Sequence, residues 1–137
     1  MQRRLTVIVS ADVVGYSGLM ERDDARTLEG LKANRTGIFD PCVAAHGGRI
    51  VKLMGDGTLV EFSSVVDAVQ CAAAIQRKMA ESDPDTPKSK RLCFRIGVNL
   101  GDVIADGDDI YGDGVNIAAR LEAMAEPGGV CISGTAF

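Results

Sequence analysis

The chain has 137 residues, 46% apolar and 25% charged, with a formal net charge of −4. One domain of that length and apolar content buries enough surface to offset its ordering entropy, which excludes intrinsic disorder. No run reaches the roughly 18 apolar residues of a membrane span, and the negative balance offers nucleic acid no electrostatic footprint. The four cysteines, at 42, 71, 93 and 131, form no CxxC pair, so buried free thiols are expected rather than zinc ligands. Basic Met1–Arg4 leads into a strand-like run and not a signal-peptide core, so a soluble, cytoplasmic domain without membrane contact is expected.

The predicted elements follow in chain order. Leu5 to Val14 is nearly continuous in apolar and β-branched residues, the pattern of a strand buried on both faces. Gly15-Tyr16-Ser17 breaks it, with Ser17 as a candidate helix cap. A longer helix starts at Asp23 or Asp24 and carries Leu28, Leu31, Ile38 and Val43 near one stripe. Pro41 is expected to kink it or end its regular part, and Gly47-Gly48 to stop it. Arg49–Met54 and Thr58–Phe62 flank Gly55-Asp56-Gly57, which predicts a hairpin with Asp56 at its tip. Val65 to Met79 has helical period, with Gln76 expected to turn outward. Ser82 to Lys90, polar with two prolines, reads as a surface loop. Two strands, Leu92–Leu100 and Val103–Ala105, are expected around Gly101. A helix over Gly112–Ala125 follows, with Ile117, Leu121 and Met124 as its apolar stripe, then a last strand at Val130–Ser133. This order contains the βαββαβ core of a ferredoxin-like α+β fold, a mostly antiparallel sheet with helices packed on one face.

Several residues stand out for chemistry. Asp12 lies inside an apolar strand, on the face of Ile8, Ser10 and Val14, where it serves either as a strand-end cap or as a metal ligand. Asp56 is a turn residue or a second carboxylate for the same ions; Mg²⁺ takes one or two carboxylates plus substrate phosphates. Gly15, Tyr16 and Ser17 offer backbone N–H groups at a helix start, a candidate phosphate cradle. There is no GxxxxGK[ST] and no GxGxxG, and Asp106–Asp109 lacks EF-hand spacing. Asn116 and Arg120 stand i,i+4 on one helix face, and the single histidine, His46, reads as a helix-end residue.

Three blocks together resemble the signature segments of class III adenylate/guanylate cyclases, in the right order and over almost the whole chain. They are Ser10-Ala-Asp-Val-Val-Gly-Tyr-Ser17, Lys52-Leu-Met-Gly-Asp-Gly57 and Asp109-Ile-Tyr-Gly-Asp-Gly-Val-Asn-Ile-Ala-Ala-Arg-Leu121. The resemblance implies that residues 1–137 form a cyclase catalytic domain converting ATP to 3′,5′-cyclic AMP and pyrophosphate. It implies that Asp12 and Asp56 bind two Mg²⁺ or Mn²⁺ ions, and that Lys52 and Asp109 select adenine. It also implies that Asn116 orients the ribose and Arg120 contacts the phosphate, across a head-to-tail homodimer with the sites at its interface. The family's domain runs on into further strands and a triphosphate-contacting lysine, so its C-terminal strands are expected to be missing here. The rival readings are a catalytically silent cyclase-like domain that dimerises or binds nucleotide, and a diguanylate cyclase, whose Gly-Gly-Asp/Glu-Glu-Phe signature is absent.

Overall fold

The computed structural model describes residues 1–81 and 92–137; the loop expected at Ser82–Lys90 lies outside the described residues. Strand β1 (Gln2–Val13) is central. It pairs antiparallel with β3 (Gly57–Phe62) on one side and with β4 (Phe94–Asp106) on the other. Outside β3 lies β2 (Arg49–Met54), and outside β4 lie β5 (Asp109–Tyr111) and β6 (Val130–Ile132). The order β2-β3-β1-β4 is the split-βαβ arrangement that the sequence pattern implied. Among the described strands only β6 is parallel, set against Ile96–Val98 of β4. The two strands expected around Gly101 are one: Gly101 pairs with Thr6 within an unbroken ladder from Gln2↔Ala105 to Val13↔Phe94. Strand β5 was not anticipated, being only three residues long.

The helices of the βαββαβ core cover one face of the sheet. They are α1 (Tyr16–Arg22), α2 (Asp24–Asn34), α3 (Asp40–Ala45) and α4 (Val65–Glu81). Val7, Val9, Ala11 and Val13, the odd residues of β1, pack there with Leu31, Phe39, Val43, Ala68, Ala72 and Ile75. The helix expected to start at Asp23 or Asp24 does so, with Asp23 as its cap, the carboxylate accepting from the Arg26 N–H. Ser17 does not cap α1; Gly15, at φ 63°, takes that position and no side chain bonds the helix start. Pro41 acts as predicted. Its ring would clash with the carbonyl four residues back in a regular helix, and the chain widens into a π-helical turn, Arg35–Phe39, before α3 resumes. Gln76 does not turn outward: its amide donates to both Phe94 O and Gly129 O at 2.9 Å, tying α4 to β4 and to the approach to β6.

Beyond the core, α5 (Asp113–Met124) crosses the opposite face, where Ile8, Leu59, Val103, Ala105 and Ile110 cluster with Ala118. Its buried residues are Gly114, Ala118 and Glu122. Gly97 lets it approach: a Cβ there would stand 2.4 Å from Ala118 O and 2.5 Å from Glu122 N. The expected stripe is therefore not the buried face. Ile117 is 39% and Met124 73% exposed, with Leu121 half-buried.

Candidate active site

Two of the singled-out carboxylates converge. The β2–β3 hairpin turns on Gly55 and Asp56, with Gly55 at φ 62°, the positive first position that a type II′ turn requires. The turn aims Asp56 at the end of β1, where its Oδ2 accepts from the Val13 N–H at 3.0 Å. Arg35, first residue of the π-helical turn, braces the same loop by donating to Gly55 O at 3.1 Å. Asp12, one residue from Val13, is half-buried on the face that carries α5.

Two further charged groups complete this cluster, and the motif reading missed both. Arg95 pairs with Asp12 in the β1–β4 register, with Nε 3.6 Å from Asp12 Oδ1. Glu122, 8% exposed, projects from α5 toward Asp12. Burial, then the Asp12 charge, pushes the Glu122 carboxyl up to about 7. Burial also raises the Asp12 carboxyl, as does the Asp56 charge, against the Glu122 hydrogen bond and the Arg95 charge. One signal for Glu122 was present in the sequence. Gly114, Ala118 and Glu122 recur every four residues, a small-residue face with one acid on it.

The donor set fits a divalent cation. Asp12 Oδ1 is buried without a hydrogen-bond partner, and a second carboxylate stands beside it. Among the described residues no group of three or more His, Cys, Asp or Glu side chains is arranged to hold a metal. Two carboxylates with room for phosphate and water are what Mg²⁺ ordinarily takes from a protein.

A second pair forms where the sheet curls until its edge strands meet. Lys52 on β2 lies 3.0 Å from Asp109 Oδ1 on β5, and its Nζ is 4.8 Å from the Tyr111 ring centre. Arg49 adds a link by donating to Asp108 O at 2.8 Å. The Tyr111 hydroxyl and then the Lys52 ammonium hold the Asp109 carboxyl below its ordinary value, and Asp109 in turn raises the Tyr111 phenol.

The remaining candidates are not joined to these clusters within one chain. Asn116 and Arg120 are exposed on α5, and their side chains make no hydrogen bond or ion pair among the described residues. Tyr16 packs against the core, while Gly15 and Ser17 are exposed beside it. His46 shares a hydrogen bond with Cys42 O at 2.7 Å, which is the helix-end role expected of it. All four cysteines are free; burial, then neighbouring Cys42, pushes the Cys71 thiol up to about 12. No helix among the described residues is long and apolar enough to cross a membrane.

Comparison with known proteins bears on the same segments. Residues 2–137 match the sequence profile of the adenylate and guanylate cyclase catalytic domain. A Rhizobium meliloti protein named "Putative adenylate cyclase 3" is 52% identical over 133 residues, which are 97% of this chain and 23% of that protein. The adenylate cyclase of Streptomyces coelicolor is 35% identical across 100% of this chain and 34% of its own length. The chain thus spans a minor part of the curated relatives it matches. The crystal structure of an adenylate/guanylate cyclase/hydrolase from Silicibacter pomeroyi superposes with a TM-score of 0.93 at 46% identity, covering 98% of this chain and 78% of that one.

Proposed function

Since the chain belongs to the family of adenylate and guanylate cyclase catalytic domains, we propose that it converts ATP to 3′,5′-cyclic AMP and pyrophosphate at sites shared between two copies in a head-to-tail homodimer. The observation that carries the choice of ATP is the Lys52–Asp109 pair. Adenine offers an acceptor at N1 and a donor at its 6-amino group; the ammonium only donates and the ionised carboxylate only accepts. Guanine reverses both groups, and the polar groups it would leave unpaired disfavour it strongly.

In the reaction the ribose 3′-oxygen attacks the α-phosphorus in line. The new O–P bond forms as the bond to the α,β-bridging oxygen breaks, pyrophosphate leaves with that oxygen, and the 3′-hydroxyl proton passes to solvent. Asp12 and Asp56 would hold two Mg²⁺ or Mn²⁺ ions, which when bound acidify the 3′-hydroxyl and neutralise the leaving group. Asn116 orients the ribose, and the Arg120 guanidinium meets the charge that develops on the transferring phosphoryl group. The Gly15–Ser17 segment contributes phosphate contacts. Asn116 and Arg120 are exposed on α5 together with Ile117 and Met124, which supports their acting on a neighbouring copy. The protein's part is positioning and neutralisation rather than covalent chemistry.

The test is an assay of the purified chain with Mn²⁺ and either ATP or GTP, beside a Lys52→Glu, Asp109→Ala double variant. Cyclic AMP as the strongly preferred product, with preference moving toward GTP in the double variant, is the expected result. Equal use of both nucleotides by the unmodified chain overturns the base assignment. Absence of any cyclic product from a dimeric, nucleotide-binding chain replaces the enzyme with a silent binding domain.

A further inference from the structure

Arg95 reaches the carboxylate cluster from β4, directly across the ladder from Asp12. Its Nη1 donates to Ala123 O near the end of α5 at 3.3 Å, which anchors the guanidinium to the helix. Its Nε is buried and makes no hydrogen bond, and neither does Asp12 Oδ1, 3.6 Å away. That separation is beyond hydrogen-bonding distance, so the contact is one of charge alone. A guanidinium and a carboxylate free to meet would close to the shorter, stronger charge-assisted bond; here each is held by its own strand. The result is one fixed positive charge facing Asp12 in a cluster that also contains Asp56 and Glu122. A further cation entering the cluster gains from the carboxylates but is opposed by the charge already there.

We propose that Arg95 is a resident counter-cation of Asp12: it balances the carboxylate in the absence of metal and holds down the affinity for a free divalent cation, so that metal is retained only when the phosphates of a nucleotide add their own negative charge. This rests on the reading of Asp12 and Asp56 as metal ligands. It makes Arg95 a positioning residue, touching neither the reacting atoms nor the nucleotide, and it favours arrival of the metal as a metal–nucleotide complex.

The experiment is Mn²⁺ binding to this chain without nucleotide, followed by the electron paramagnetic resonance of the free ion, together with thermal melts with and without Mn²⁺. Arg95→Gln keeps an amide donor for Ala123 O but removes the charge. It should bind Mn²⁺ about tenfold more tightly than the unmodified chain, melt at lower temperature without metal, and gain more from Mn²⁺. Arg95→Lys should stay within about twofold of the unmodified affinity, because it restores the charge. If Arg95→Gln fails to fold alone, saturating Mn²⁺ should restore its circular dichroism, and failure to do so overturns the proposal. Unchanged or weaker Mn²⁺ binding by Arg95→Gln also overturns it. When the unmodified chain binds Mn²⁺ and Asp12→Asn does not, such a result removes only the role of Arg95. No Mn²⁺ binding by either protein removes the metal reading itself, and this proposal with it.

Discussion

The two carboxylates differ in how far the protein already satisfies them. Asp56 accepts the Val13 N–H, whereas Asp12 Oδ1 has no hydrogen bond among the described residues. Asparagine at 56 retains an oxygen for the Val13 N–H, so Asp56→Asn should lower turnover at least about a hundredfold with little change in melting temperature; near-normal cyclic AMP formation would count against a metal role. Glu122 predicts a pH effect. Its carboxyl has an ordinary value of 4.5 and is held at about 7 in the fold. Between those values the folded chain binds a proton that the unfolded chain releases. The stability this contributes is full below about pH 4.5 and is lost as pH rises through about 7. Glu122→Gln is neutral throughout and should lose less stability than the unmodified chain between pH 5 and pH 8. Parallel melting curves for the two would show that Glu122 does not titrate in this window. Asp12 and Asp56 could be singled out from the residues alone, one as an acid inside an apolar strand and the other at a hairpin tip, whereas Lys52 and Asp109 entered only through the resemblance to the cyclase family. Glu122 and Arg95 were legible in neither way, because each reaches the cluster only through packing: one across the Gly97 gap, the other across the β1–β4 ladder.

At the scale of the element, α5 depends on one missing side chain. A Cβ on Gly97 would collide with the backbone of α5 at Ala118 and Glu122, atoms no rotamer change can move aside. Gly97→Ala should therefore destabilise the fold by about 3 kcal/mol and shift Glu122 relative to Asp12. Gly134→Ala, where a Cβ meets nothing within 4 Å and φ is not in the positive range, should be nearly neutral. Urea titrations of the pair give the comparison, and equal midpoints would refute a close-packing role for Gly97. The same close packing explains what pattern-reading missed. Apolar periodicity located α4 and α5, but for α5 it marked the large residues Ile117, Leu121 and Met124 as the apolar stripe. Laid across glycines, α5 buries Gly114 and Ala118, with Glu122, and leaves Ile117 and Met124 exposed. Gln76 misled for a related reason: a polar residue at a helix flank reads as solvated, yet here it satisfies two carbonyls. The strand pattern was more dependable. The apolar residues of β1 on both faces correctly signalled a central strand covered on both sides.

At the scale of the molecule, one chain pairs Lys52 with Asp109 and brings Asp56 to the end of β1 near Asp12, yet leaves Asn116 and Arg120 exposed beside Ile117 and Met124. If the site is shared between copies, two inactive variants should complement each other. Asp56→Asn and Arg120→Ala, each silent alone, form mixed dimers in which both lesions fall in one site and the other is intact. With free exchange, half the dimers are mixed and each has one good site of two, so activity should return to about a quarter of the unmodified value. No recovery, after subunit exchange has been confirmed and both variants shown to be folded, would place the complete site within one chain.

The central position of β1 also bears on how the chain acquires its fold. Within this domain β1 is made before either of its partners, residues 58–62 and 94–105, so its hydrogen-bonding partners are synthesised some fifty and ninety residues later. Until then a twelve-residue strand, largely apolar from Leu5 onward, has two unsatisfied edges. Contacts so distant in sequence make folding slow, on the order of milliseconds to seconds, and the waiting strand is a template for pairing with other nascent chains. Yield of folded protein should therefore depend more on the rate of synthesis and on chaperones that shield β1 than on the stability finally reached. Comparing soluble yield at slowed and normal translation rates, with refolding of the purified chain timed by stopped flow, would measure both effects.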